Sequence, residues 1–175
     1  MSMPEIGPFE SAISTSRLSL DPMMASHAKL LFPILSDRGL YHFTGDEPPE
    51  SEGALASHYR YLEGRKSPDA SQLWLNWLVS LKGSDTPIGY VQATVSELHA
   101  DIAWVIGSDW QGNGYATEAA LAMSECLSKN GISAIRACIN PNHMASQRVA
   151  SNVGLSISEL VSNGEDIWLS KSAHS

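Results

Sequence analysis

A chain of 175 residues is the size of one domain and long enough to bury a substantial core, so no second domain is expected. With 43% apolar and 17% charged residues the balance is that of an ordinary soluble globular protein, and no apolar run approaches the roughly 20 residues that cross a bilayer, which excludes a spanning helix. The net charge of -8, from 19 acidic against 11 basic residues, repels a phosphate backbone and argues against nucleic acid as a partner.

Residues 1–15 contain no basic residue and no apolar stretch followed by small residues, so they do not read as a secretory signal. They are expected to form a flexible N-terminal tail, in the cytoplasm, ahead of a domain over 16–171. Arg17 to Asp21 alternates polar and apolar residues before Pro22, a strand pattern, and a helix to about Leu35 follows. Gly45 to Pro49 is a loop, and Leu55, Tyr59 and Leu62 then recur at helical spacing. Leu73 to Lys82 reads as a strand that puts Leu73, Leu75, Trp77, Val79 and Leu81 on one apolar face and Trp74, Asn76, Leu78 and Ser80 on the other. Asp85-Thr-Pro87 turns the chain into a strand over Ile88 to Val95, and another runs from about Ala100 to Ile106. Three strands joined by short turns imply an antiparallel meander.

From Ala116 the period becomes helical, with Ala119, Met123, Cys126 and Leu127 on one side and Asn130-Gly131 as the stop. Ala134 to Ile139 is a short apolar strand. Ala145, Val149 and Val153 mark a helix ending at Gly154, and two short strands, near 155–161 and 166–169, complete a mixed sheet with helices packed on it. Cys126 and Cys138 are too far apart for a metal or redox motif and fall inside apolar patterns, which predicts buried free thiols in a reducing compartment and no metal centre.

The chemistry sits in Gln111-Gly-Asn-Gly-Tyr-Ala-Thr-Glu-Ala119, between a strand and a helix. Two glycines let the backbone curl so that successive N–H groups point into one concavity at the positive end of the helix, a nest for phosphate. The Gly-Lys-Ser/Thr of a nucleotide-hydrolysing loop is missing. The spacing is also not that of a dinucleotide fold, and the loop follows antiparallel strands rather than the first strand of a βαβ unit, which disfavours an oxidoreductase. A diphosphate held by backbone amides suits a cofactor that is bound but not cleaved at phosphorus.

Gln111-Gly-Asn-Gly114-Tyr-Ala116 resembles the Q-x-x-G-x-G/A motif of the GNAT N-acetyltransferases. Trp110 and Thr117-Glu118-Ala119 extend the likeness towards the ribosomal-protein N-terminal acetyltransferase (RimJ/RimL) branch. Ser16-Arg-Leu-Ser-Leu20 is similar to the family's opening strand and Ser146-Gln-Arg-Val-Ala-Ser-Asn-Val-Gly154 to its closing helix. The resemblance implies a single α/β (α+β) domain whose mixed, mainly antiparallel sheet splays between its fourth and fifth strands, with helices on both faces. It implies acetyl-CoA as co-substrate: the pantetheine arm pairing along Val105 and Ile106, the pyrophosphate held by Gln111, Gly112, Asn113, Gly114, Tyr115, Ala116 and Thr117, and Asn142 and His143 bordering the arm.

Many members carry N-x-x-A/S-x-x-x-Y in the closing helix, the Tyr protonating the departing thiolate. Here His143 stands at the Asn position and Ala150 at the Tyr position, which leaves Ser146 as the candidate acid or as a residue that only caps or packs. An alkyl amine with a pKa near ~10.4 must lose a proton before it attacks the thioester, and Asp101, early on the fourth strand, is the candidate base, with His99 a poorer one. No nucleophile triad is present, so the reading is direct attack in a ternary complex. Tyr41, Trp74, Asn76 and Gln92, together with His42 and Thr94, are the acceptor-side candidates, because polar groups opposite an apolar strand face must meet solvent, substrate or one another. The acidic balance favours cationic amines through steering. The alternative is an acyl-CoA-binding sensor that has lost its chemistry with the Tyr, and monomer and homodimer both stay open.

Overall fold

The computed structural model describes residues 3–97 and 99–171. Eight strands form one open sheet: β1 (Ile13–Ser14), β2 (Leu18–Pro22), β3 (Leu73–Leu81), β4 (Thr86–Ser96), β5 (His99–Ile106), β6 (Ala134–Ile139), β7 (Ser156–Ser162) and β8 (Glu165–Leu169), in the order β1-β2-β3-β4-β5-β6-β8-β7. Four helices accompany them: α1 (Ala28–Leu35), α2 (Glu52–Leu62), α3 (Tyr115–Lys129) and α4 (Met144–Val153). The β3-β4-β5 meander pairs in antiparallel register, with Asn76 opposite Gln92 and Gln92 opposite Ala103. No helix among the described residues is long and apolar enough to cross a membrane.

The strand periods fix which side chains meet which layer. Leu73, Leu75, Trp77 and Val79 of β3, with Val91, Ala93 and Val95 of β4, share the larger core with Ala119, Met123 and Leu127 of α3 and Ala150 of α4. The opposite face carries Leu78, Tyr90 and Val105 against Leu31 and Leu35 of α1 and Leu55 and Tyr59 of α2. Helices therefore cover both faces, as expected. Local chemistry marks two helix ends: Ser51 Oγ accepts the Ala54 N–H at 3.0 Å to cap α2, and Gly154, at φ 94°, ends α4 in the left-handed conformation that glycine adopts without a Cβ clash.

Two expectations need correction. Within 1–15 the described residues are not a loose tail: Phe9 is 1% exposed, Met3, Ile6 and Ile13 pack against the larger core, and β1 pairs with β2. Their apolar anchors are separated by Gly, Pro and Ser, so no periodicity announced them. Cys138 is exposed and Cys126 half-buried, because β6 turns Ile135, Ala137 and Ile139 inward and leaves the alternate position outward. The two short strands expected near the end join the sheet with β8 beside β6 and β7 at the edge.

The parallel pair positions the site. β5 and β6 are bonded at His99 with Ala134, Ala100 with Ile135 and Asp101 with Arg136, and beyond that register the two strands part. This is the splay expected between the fourth and fifth strands, counted without the short β1. Both strands lead at their C-terminal ends into loops that start helices, α3 after β5 and α4 after β6, so the opening lies where crevices form in sheets with parallel strands.

Candidate functional site

The loop from β5 to α3 runs through a single 3-10 turn, Ser108–Trp110, and then curls at Gly112 (φ 78°) and Gly114 (φ 79°), the latter capping α3. Side chains hold the curl from within. Gln111 Nε2 donates to Ile106 O at 2.8 Å, and Asn113 Nδ2 donates to Trp110 O at 3.1 Å and Gln111 O at 3.2 Å. The first bond of α3 is Glu118 N–H to Gly114 O, 3.0 Å, and the amides of Gly112 to Thr117 donate to no acceptor among the described residues. Orphan amides at the positive end of a fifteen-residue helix suit a diphosphate, so this loop fits the one carried by CoA. Gln111 and Asn113 shape the loop with their side chains, a division of labour the sequence does not show.

Behind the loop Glu118 ties the N-terminal hairpin to α3. One carboxylate oxygen accepts from Thr15 Oγ1 (2.6 Å) and Arg17 N (3.0 Å), the other from Arg17 Nε (2.6 Å). Burial opposes ionisation of Glu118, but the hydrogen bonds from Thr15 and Arg17 outweigh it and hold the carboxyl below its ordinary range. Arg17 also donates from Nη1 to Asn113 O at 2.9 Å and lies 4.6 Å from the centre of the Tyr115 ring. The guanidinium thus braces the loop.

Across the opening, Asn142 N–H donates to Asn140 Oδ1 at 2.9 Å, and Ser146 Oγ lies 3.4 Å from His143 Nε2. The His143 ring stacks on Phe43 with centroids 4.5 Å apart, and Asn140 Nδ2 donates to Phe43 O at 3.2 Å. Burial lowers the pKa of His143 below its usual value, which leaves the imidazole neutral at pH 7. At its other end the α1–α2 connector is held by Ser108 Oγ donating to Asp37. The connector therefore bridges the ends of β5 and β6.

The structure gives two of the expected site residues other surroundings. Both oxygens of Asp101 accept from the Arg136 guanidinium, Oδ2 from Nη2 at 2.8 Å, and His99 Nε2 is 3.6 Å away. Asp101 and Arg136 form the last bonded register of β5 and β6, so this pair pins the vertex of the splay, and a carboxylate so engaged is poorly placed to accept a proton from an amine. Along β5, Gly107 N–H donates to Ile88 O, and the alternation of an antiparallel ladder then turns the backbone groups of Val105 towards β4 and those of Trp104 and Ile106 towards the gap. Trp104 replaces Val105 as a backbone neighbour of the opening, although Ile106 O is already taken by Gln111.

On the α1–α2 side of the sheet lies a cavity of about 390 Å3 that brings together Tyr41, Asn76 and Gln92 of the expected acceptor residues. Trp74 and Thr94 are not in its lining. Trp74 Nε1 donates to Gln72 Oε1 at 3.1 Å and its ring meets Tyr61 at 5.6 Å, so it packs within the sheet surface. His42 is exposed, its ring edge-on to Phe43 at 4.7 Å. Asp46, Glu47, His58, Tyr59 and Tyr90 also line the cavity. Sequence reasoning passed over them because a loop, a helix and a strand had to fold together before they shared a wall.

The family model described as the acetyltransferase (GNAT) domain matches residues 17–156. Among solved structures, an acetyltransferase of the GNAT family from Bacillus anthracis is 19% identical with a TM-score of 0.72, the match covering 91% of this chain and 96% of that one. The ribosomal alpha-N-protein acetyltransferase RimL, in complex with coenzyme A, is 16% identical with a TM-score of 0.73, covering 91% and 97%. An acetyltransferase from Agrobacterium tumefaciens is 16% identical with a TM-score of 0.68, covering 97% and 95%. No curated protein matches the chain in sequence. With the opening between β5 and β6, the amide-rich turn at the head of α3 and a family match over 17–156, the chain belongs to the GNAT acetyltransferase domain family.

Proposed function

We propose that the chain transfers the acetyl group of acetyl-CoA to a primary amine, by direct attack in a ternary complex. The observation that carries this reading is the run of unpaired amides from Gly112 to Thr117 beside the parting of β5 and β6. When bound, acetyl-CoA supplies an activated thioester whose carbonyl carbon takes the amine nitrogen as the C–S bond breaks. The amides of Gly112 to Thr117 bind the pyrophosphate, and the backbone of Trp104 and Ile106 borders the pantetheine arm. Ser146 donates its hydroxyl proton towards the leaving sulfur, and His143, neutral at pH 7 and 3.4 Å from Ser146 Oγ, accepts the proton that the amine must shed. Starting from the neutral amine, the imidazolium so formed returns a proton to Ser146 Oγ, so the proton shed by nitrogen is matched by the one that reaches sulfur, both side chains are restored and no enzyme-bound acyl group forms. Asp101 is assigned to holding β5 against β6 rather than to this transfer.

The likeness to RimL supports the amine of a protein N-terminus as one acceptor; a small-molecule amine and a cytoplasmic location belong to the same proposal. The test is twofold. Calorimetry should show CoA and acetyl-CoA binding and no comparable binding of NAD or ATP. A screen of small amines, aminoglycosides, polyamines and peptide N-termini should release CoA with at least one of them. Absence of CoA binding refutes the site, and binding without turnover of any amine converts the reading into an acyl-CoA sensor.

A further inference from the structure

We propose that the cavity between α2, the α1–α2 connector and the β3–β4 face is the acceptor pocket, and that it selects a small amine carrying a second, non-reacting positive charge. The proposal rests on the acetyl-transfer reading for the role of the pocket, but not for the binding of the ligand.

Size and wall chemistry come first. A volume of about 390 Å3 lies at the small end of ligand cavities. Asn76, Gln92 and Tyr59 bring polar groups to it. Asn76 is 9% exposed, its Nδ2 makes one long bond of 3.4 Å to Trp74 O, and its Oδ1 accepts from no donor among the described residues. The Gln92 carboxamide beside it makes no hydrogen bond among those residues, and the buried hydroxyl of Tyr59, a residue 5% exposed, has no partner. Buried polar groups are nearly always paired, so the unpartnered Tyr59 hydroxyl, at a cavity that also presents the carboxamides of Asn76 and of half-buried Gln92, points to a ligand that engages them.

Charge decides the class. Asp46 and Glu47 stand on the exposed connector at the rim, and no Lys or Arg among the described residues lines the cavity. Arg38 Nη1 reaches only to 4.0 Å from Glu47, with both side chains more than four-fifths exposed, so solvent screens that pair and leaves the rim acidic. Tyr41, Tyr59 and Tyr90 also line the cavity, aromatic rings of the kind that attract a cation. Burial raises all three phenols, Tyr90 to about 12, so they act as neutral donors and acceptors.

Position separates the two nitrogens of such a ligand. A carboxylate beside the reacting nitrogen would hold it as an ammonium and oppose attack. The rim carboxylates are on the connector, whereas the neutral carboxamide of Gln92 is on β4 opposite Ala103 of β5, the strand that borders the splay. The charged end of a diamine therefore fits the rim, and the end that must be neutral fits the floor.

The experiment compares butylamine with the butane diamine that adds only a terminal ammonium, using initial rates with acetyl-CoA. The expected kcat/KM is about tenfold higher for the diamine at low ionic strength and falls towards that of butylamine as salt is added. The double variant Asp46→Asn, Glu47→Gln should collapse the ratio of the two rates to near one. Equal rates in the wild type, a preference that survives in the double variant, or a better rate on a neutral peptide N-terminus overturns the proposal. If neither amine is acetylated, calorimetric titration of the diamine into the protein with and without CoA still decides it. Binding lost in the double variant retains the pocket and leaves the transfer reading to the wider amine screen, and no binding to the wild type overturns the pocket.

Discussion

Replacing Glu118 by Gln keeps the size of the side chain and changes only what it offers. Oε1 can still accept from Thr15 Oγ1 and the Arg17 amide, but an amide NH2 now faces Arg17 Nε across 2.6 Å, donor against donor. A charge-assisted bond of this kind contributes about 1.5–3 kcal/mol, and the side-chain exposure of 47% for Arg17 against 17% for Glu118 reduces that by roughly half. Weakening of the two bonds to Oε1, once its charge is gone, adds about 0.5 kcal/mol each. The expected loss is about 2 kcal/mol, or about 4–8 °C in Tm for a chain of this size. A double-mutant cycle with Arg17→Gln, read by urea denaturation, should give a coupling of about 1 kcal/mol. Because the folded pKa of Glu118 is depressed, its contribution is present above the unfolded carboxyl value and is lost as pH falls through the folded one. A loss below about 0.5 kcal/mol, or no coupling, would refute the assignment of Glu118 as the tie between the hairpin and the cofactor loop.

Ser146→Ala should lower the single-turnover acetylation rate by roughly ten- to a hundredfold with little change in acetyl-CoA affinity, and a wild-type rate removes Ser146 from the mechanism. Gly89→Ala should be destabilising by about 3 kcal/mol or more, since its Cβ would stand 2.0 Å from Val105 O, and an unchanged denaturation midpoint would contradict the β4–β5 register. His27 and His143 both have folded pKa values lowered by burial, so the unfolded chain takes up their protons first. Stability is then full above the unfolded value near 6.5 and declines as pH falls through the folded values. Denaturation between about pH 7.5 and 5.5 should show that slope, and His143→Gln should flatten it.

Short-range chemistry was legible in the chain alone. The period of two in Leu73 to Leu81 and the period near four in Ala119, Met123 and Leu127 depend only on neighbours a few residues away, so the meander and the long helix emerged close to their observed bounds. The Gln111–Thr117 turn was equally local, because its glycines, its helix start and its unpaired amides lie within seven residues. Features made by residues far apart in the chain were not. Asp101 looked like a free base until Arg136, 35 positions on, took both its oxygens, and Glu118 looked like part of a motif until Thr15 and Arg17 closed on it from 103 and 101 positions away. Cys138 shared the apolar pattern of β6, but only the core that Ile135, Ala137 and Ile139 share with Ala150 of α4 decided which face of that strand was covered. The stacking of Phe43 on His143, and the cavity that gathers Asp46, Tyr59 and Gln92, belong to the same class. Backbone periodicity is set by sterics and burial along one segment, whereas ion pairs, pockets and the partner of a titratable side chain are set by which segments the core forces together, and that is decided only when the sheet is assembled.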